Sequence, residues 1–211
     1  MYTTLRRKLK KHSRSISRVF INAKKPLGLL AIVGVISLIL LNMQHSQKIY
    51  TSGLLDTIAK VESRNNYNAH YGNANNTKIQ FTSMTVGDVL AWQEEFVSKG
   101  NPSSAVGRYQ FIDSTLRGLV QELKIDEEET FTPALQDTLA VALLERRGVR
   151  EYAAGNMSKE EFAHNLSKEW AALPKVIGEN PEQSYYAGDG MNRALLSVGE
   201  IYSGIATVRK L

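Results

Sequence analysis

Ser104-Ala105-Val106-Gly107-Arg108-Tyr109-Gln110-Phe111-Ile112 decides how this chain is read, because of what lies forty-odd residues before it. Gly107 to Ile112 carries a glycine, then alternating polar and aromatic side chains, and predicts a short strand. In that register Arg108 and Gln110 share one face, and Tyr109 and Phe111 the other. One face then offers hydrogen-bonding groups to a ligand while the other packs on a core. Gly107 lets a ligand or a neighbouring backbone come close. Taken alone, the stretch is equally compatible with an ordinary edge hairpin.

Upstream, Leu54, Leu55, Ile58 and Val61 form a helical stripe over 54–64. Leu55, Ile58 and Glu62 fall at i, i+3 and i+7, which sets the Glu62 carboxyl beside the apolar stripe. Partial desolvation there disfavours the ionised form and raises the pKa, as a general acid requires. A solvated helix-edge glutamate is the ordinary alternative. Ser63, next to it, either hydrogen-bonds near Glu62 or simply ends the helix.

The rest of the C-terminal portion also reads as mostly helical. Residues 65–83, rich in Asn, Tyr and Thr, suit a loop or small hairpin. Thr85-Val86-Gly87-Asp88 is a capping box opening a helix that Gly100 ends. Asp113 or Ser114 starts a helix to Lys124. Thr132-Pro133 starts another, with Leu135, Leu139 and Leu143 on one face and a stop at Gly148. Ser158-Lys159-Glu160-Glu161 opens a helix through Phe162, Leu166 and Trp170, the last read as core. A final helix is expected from Met191. The fold class is α+β, mostly α, with a small β-hairpin region.

Charge divides the chain. Residues 1–48 hold ten Lys/Arg and no acid, while 49–211 hold 16 Lys/Arg against 21 Asp/Glu. The tail is thus strongly basic and the remainder mildly acidic. A basic tail invites a nucleic-acid reading, but Pro26 to Met43 follows it as 18 uncharged, largely apolar residues. Such a helix spans about 27 Å, enough for a hydrocarbon core of roughly 30 Å. The expected organisation is a basic tail over 1–25, a transmembrane helix over 26–43, a linker over 44–52 and a globular domain over 53–211. Basic residues ahead of the span place the N-terminus in the cytoplasm and the domain in the periplasm, with a virion membrane as another setting. No specific nucleic-acid partner is expected. The chain has no cysteine, and His12, His45, His70 and His164 show no metal-ligand spacing, so neither a metal nor another cofactor is expected.

Glu62-Ser63, Tyr67-Asn68-Ala69, Ser104 to Phe111 and Ser114-Thr115-Leu116 together resemble the lysozyme-fold lytic transglycosylases, above all the lambda-phage endolysin type. The Gly-Arg-Tyr-Gln motif of that type is intact, and Trp170-Ala171-Ala172-Leu173-Pro174 is similar to its Trp-x-x-Leu-Pro segment. The Glu-Ser pair is similar to bacterial soluble transglycosylases, where a Gly-Leu-Met-Gln strand takes the equivalent place. The resemblance covers roughly residues 53–195. It implies that Glu62 protonates the oxygen between N-acetylmuramic acid and N-acetylglucosamine in peptidoglycan, and that the muramyl 6-hydroxyl closes a 1,6-anhydro ring. It also implies Ser63, Arg108, Tyr109, Gln110, Tyr185 and Tyr186 as substrate-binding candidates.

A hydrolytic lysozyme would need a second carboxylate. Asp88 and Asp113 are explained as helix caps, and Glu94 and Glu95 as part of a charged helix run. That favours transglycosylation over hydrolysis. The alternatives are a hydrolytic muramidase and an inactive peptidoglycan-binding domain. A phage protein for wall penetration or lysis and a bacterial envelope enzyme are both compatible settings.

Overall fold

A computed structural model of the chain describes residues 49–210. The basic tail and the apolar segment 26–43 lie outside the described residues. Within 49–210, no helix is long and apolar enough to cross a membrane.

Strand β1 (Ile49–Tyr50) pairs antiparallel with β2 (Arg209–Lys210), Ile49 opposite Lys210 and Tyr50 opposite Arg209. The two strands come from opposite ends of the described chain. Between them lie α1 (Ser52–Ser63), α2 (Val86–Ser98), α3 (Asp113–Leu123), α4 (Pro133–Arg146), α5 (Val149–Ala153), α6 (Lys159–Ser167) and α7 (Val198–Ile205). The fold class is therefore mostly α with a small sheet. That sheet is the pairing of chain ends and not the expected hairpin around Gly107. There the β structure shrinks to isolated bridges, Val106 with His70 and Val106 with Phe111.

Local chemistry sets most helix starts. Thr85 Oγ1 accepts from the Asp88 N–H at 3.1 Å while the Asp88 carboxylate accepts from the Thr85 N–H, the reciprocal capping box at the head of α2. Thr132 caps α4 ahead of Pro133, and Ser158 caps α6. A further capping box, Ser197 with Glu200, opens α7. The last helix thus begins at Val198, not Met191, because residues 189–192 are taken up by a side-chain-stabilised turn. At α3, Asp113 stands inside the first turn instead of capping it, and Ile112 is the cap residue.

Helix α6 also stops earlier than its apolar pattern suggests. Lys168 and Glu169 form a turn, so Trp170 leaves the helix, yet it still reaches the core at 3 % exposure. The core gathers Leu54 and Ile58 of α1, Val89 of α2, Leu116 and Leu119 of α3, Leu139 and Leu143 of α4, Phe162 and Leu166 of α6, and Ile201 and Ile205 of α7. The Asn-rich segment before α2 is a loop held by its own amides. Asn76 Nδ2 donates to the carbonyls of Asn68 and Ile79, and Asn66 Nδ2 to those of Ala74 and Asn76. These bonds replace the ladder a strand would have supplied.

Candidate active site

Glu62 is the penultimate residue of α1. Arg64 and Asn65 follow with positive φ (56° and 63°), which ends the helix abruptly and leaves Glu62 at its last turn. The apolar stripe behind it, Leu54, Leu55, Ile58 and Ala59, is buried. The residue as a whole is half-buried, and burial of its carboxyl pushes the pKa up to about 7, against a smaller lowering from the Ala172 N–H that donates to Oε1 at 3.4 Å. Near neutral pH a substantial fraction of this carboxyl therefore holds its proton.

The Gly107-Arg108-Tyr109-Gln110 stretch is a turn and not a strand. Val106 and Phe111 exchange both backbone hydrogen bonds (3.0 and 2.9 Å), and the four residues between them bulge out of that bridge. Gly107 and Gln110 both have positive φ, 78° and 52°. The alternation expected of a strand is lost, and each side chain goes its own way.

Arg108 turns inward. Its Nη2 donates to Asp56 Oδ1 at 2.6 Å and Asn65 Oδ1 at 3.1 Å, and its Nη1 to the hydroxyls of Tyr109 (2.7 Å) and Tyr67 (3.3 Å). Both tyrosine hydroxyls in turn donate to Asp137. Desolvation and the bond to Asp137 push the Tyr109 phenol upward, so it stays a neutral donor. With its side chain 12 % exposed and both Nη atoms committed to this network, Arg108 does not line the cleft. It braces the turn.

Three further contacts fix that turn. Ser63, fully buried, shares its hydroxyl proton between the carbonyls of Arg108 (2.7 Å) and Ala59 (3.1 Å). Gln136 accepts from the Arg108 N–H at 2.9 Å and donates to the carbonyls of Tyr67 and Phe131. Trp170 Nε1 donates to the Tyr109 carbonyl at 3.2 Å. Ser63 thus joins the helix carrying Glu62 directly to the turn and lines neither cavity described below. A Cβ on Gly107 would fall 2.5 Å from Gln136 Oε1. The close approach that Gly107 allows is to this side chain, not to a ligand.

Gln110 stays beside Glu62, and the two residues together line two adjoining cavities. One is a cleft of about 700 Å³ whose walls include Tyr109, Trp170, Ala172 and Tyr186. The other is a polar recess of about 330 Å³ formed with Arg64, His70 and the Gly72–Asn75 loop. Tyr186 lines the cleft, with its hydroxyl donating to the Lys168 carbonyl at 2.8 Å. Tyr185 lines neither cavity and stands edge-on to His164 and Tyr186. Of the predicted residues, then, Glu62, Gln110, Tyr109 and Tyr186 meet at the cleft, Ser63 and Arg108 support it from behind, and Tyr185 stands apart.

Two other carboxylates touch the cleft, and both are engaged. Glu169 accepts from Arg147 Nε at 2.8 Å and Nη2 at 2.7 Å, and Asp113 accepts from Ser104 Oγ at 3.2 Å. Among the described residues, no group of three or more His, Cys, Asp or Glu side chains converges as a metal ion would need.

Sequence reasoning missed Gln136, Asp137 and Ala172. Gln136 had a readable signal, since a polar residue three and seven before Leu139 and Leu143 sits on an apolar face and must find buried partners. Ala172 had none, because it acts through its backbone N–H.

Glu62, its pKa raised by burial, thus stands between a cleft and a polar recess, and each of the two other carboxylates that line the cleft has a hydrogen-bond partner. The endolysin family profile matches residues 52–195, a span that holds Glu62, the Gly107–Gln110 turn and the cleft-lining segment to Leu195. The chain belongs to the endolysin family, whose members degrade peptidoglycan. No curated protein and no solved structure matches it.

Proposed function

We propose that this protein is a membrane-anchored lytic transglycosylase. It cleaves the β-1,4 bond between N-acetylmuramic acid and N-acetylglucosamine and leaves a 1,6-anhydro end. The observation that carries this reading is the pairing of a Glu62 carboxyl raised to about pH 7 with cleft carboxylates that are all otherwise engaged. Glu62 gives its proton to the leaving glycosidic oxygen. The muramyl C6 hydroxyl then bonds to the anomeric carbon and returns its proton to the Glu62 carboxylate, so no water is consumed. A hydrolytic muramidase would need a carboxylate free to act as nucleophile or to activate water. Glu169 is ion-paired to Arg147 and Asp113 accepts from Ser104, so neither is an unpartnered carboxylate.

Mass spectrometry of muropeptides released from purified sacculi by the full chain tests the reaction. Anhydro ends are expected. Reducing ends would make the protein a muramidase, and no release would reduce it to a binding module.

The anchor rests on the uncharged run from Pro26 to Met43 behind a basic tail, which supports a single span, a cytoplasmic N-terminus and a periplasmic catalytic domain. In that setting a phage would use it for wall penetration or lysis. Membranes washed with 1 M salt should retain the full chain and release it only into detergent, because salt at that strength screens surface charge beyond about 3 Å. Release by salt alone would show that the basic tail holds the protein by charge, with no span.

A further inference from the structure

Among the described residues the cleft is lined by one cation, Arg193. Arg193 lines the 700 Å³ cavity, is exposed, and among the described residues has neither an ion pair nor a hydrogen bond. None of the three acids that line the cavity, Glu62, Asp113 and Glu169, forms an ion pair with it. Glu169 is held by Arg147 and Asp113 by Ser104. On the other side of Glu62, Arg64 lines the polar recess with its Nη1 on Asn75 Oδ1 at 3.3 Å.

A solvated surface arginine needs no scaffolding, whereas this one is braced on both sides. Before it, Asp189 Oδ1 accepts from the backbone N–H groups of Met191 and Asn192, both at 2.8 Å, and Oδ2 from Asn192 Nδ2 at 2.6 Å. That turn fixes the chain up to Asn192. After it, Leu195 and Leu196 both donate to the Ala172 carbonyl, at 2.8 and 3.3 Å. Ala172 is also the residue whose N–H holds Glu62 Oε1. The segment that presents Arg193 is therefore tied to the catalytic carboxyl through a single residue.

We propose that Arg193 receives a carboxylate carried by the glycan substrate and so makes the cleft select acidic strands over uncharged ones. This rests on the glycan-cleaving reading of the same site. The N-acetylated sugar backbone is itself neutral, so in a peptidoglycan strand the anionic groups a guanidinium can take are carboxylates. They come either from the peptide stems or from lactyl groups whose stem has been removed. Both present the same planar acceptor, which the forked donors of arginine match better than an ammonium does.

Binding to the full chain in detergent tests this, with Glu62→Gln as the parent so that cleavage does not intrude. Three soluble ligands are compared: strands bearing stems, strands stripped of stems by an amidase, and uncharged chitooligosaccharides. Adding R193Q should lower the preference for carboxylate-bearing over uncharged strands about fivefold, the scale of an exposed ion pair. R193K should restore part of that preference, and raising the salt from 0.05 to 0.5 M should erode it in the parent but not in R193Q. A loss seen with stripped strands assigns the lactyl carboxylate, and a loss confined to stem-bearing strands assigns the stem. A preference unchanged by R193Q, or no binding of any strand, overturns the proposal. Muropeptide release by the chain with Glu62 intact is measured separately, so a failed Arg193 assignment leaves the cleavage reading standing, and the reverse.

Discussion

Glu62→Gln is expected to lower glycan cleavage by about 10²- to 10⁴-fold, the usual contribution of a positioned general acid, and at the same time to stabilise the protein at alkaline pH. The amide keeps the shape and can still accept from the Ala172 N–H, but it has no proton to give. The stability half follows from the raised pKa. Below the ordinary value of 4.5 the carboxyl is neutral in both folded and unfolded chains, and the substitution changes little. Between 4.5 and about 7 the folded protein keeps a proton that the unfolded chain has lost. Above about 7 the fold must hold an ionised carboxylate where burial disfavours it, at a cost of roughly 3 kcal/mol. The native protein therefore loses stability as pH rises through this window, and Glu62→Gln does not. Melting curves at pH 4 and pH 8 should coincide at the lower pH and separate by several degrees at the higher one. Cleavage by the native enzyme should fall once pH passes about 7, as the acid form is depleted. A Gln variant that clears peptidoglycan at the native rate would remove Glu62 from the mechanism.

Gly107→Val should cost more than about 4 kcal/mol and leave little folded protein. Two effects add. The φ of 78° is a conformation that a β-branched residue strongly resists, and the new Cβ would meet Gln136 Oε1 at 2.5 Å. A surface glutamine would swing away, but Gln136 is fully buried and holds Arg108, Tyr67 and Phe131 at once. Moving it would strand several buried polar groups. Gly107→Ala should show the same defect in milder form. The reading from sequence alone, with Gly107 facing a ligand, forecasts the opposite result, a folded protein that has lost activity. Denaturant titration of both variants decides between them. A Gly107→Val protein with the native unfolding midpoint and no activity would put the substrate, and not Gln136, against this glycine.

What could be read from the chain, and what could not, follows from the range of the interactions involved. The heads of α2, α4 and α6 were legible because Thr85, Thr132 and Ser158 act on N–H groups within three residues of themselves. The place of Glu62 beside the apolar stripe was legible for the same reason, since helical periodicity sets it next to Ile58. The turn at Gly107 was not. Its shape depends on a positive φ at Gln110, a residue that rarely signals one, and on Gln136, 28 residues beyond Arg108. Arg108 was misplaced with it, because its partners Asp56, Asn65 and Tyr67 lie 41 to 52 residues away. The overrun of α6 into Trp170 had another cause. Phe162, Leu166 and Trp170 keep a helical spacing and all reach the core, so burial stays in register after the backbone has left the helix.

The pairing of β1 with β2 gives the molecule a load path. A pull on the chain ahead of Ile49 arrives first at two short strands clasped edge to edge, where Arg209 also covers the Tyr50 ring at 4.9 Å. Helix α1 begins two residues later, and Glu62 stands at its far end, about 15 Å along the axis. Load applied at Ile49 is thus shared with residues 209–210 at one end of the helix, while the turn that braces the carboxylate lies at the other.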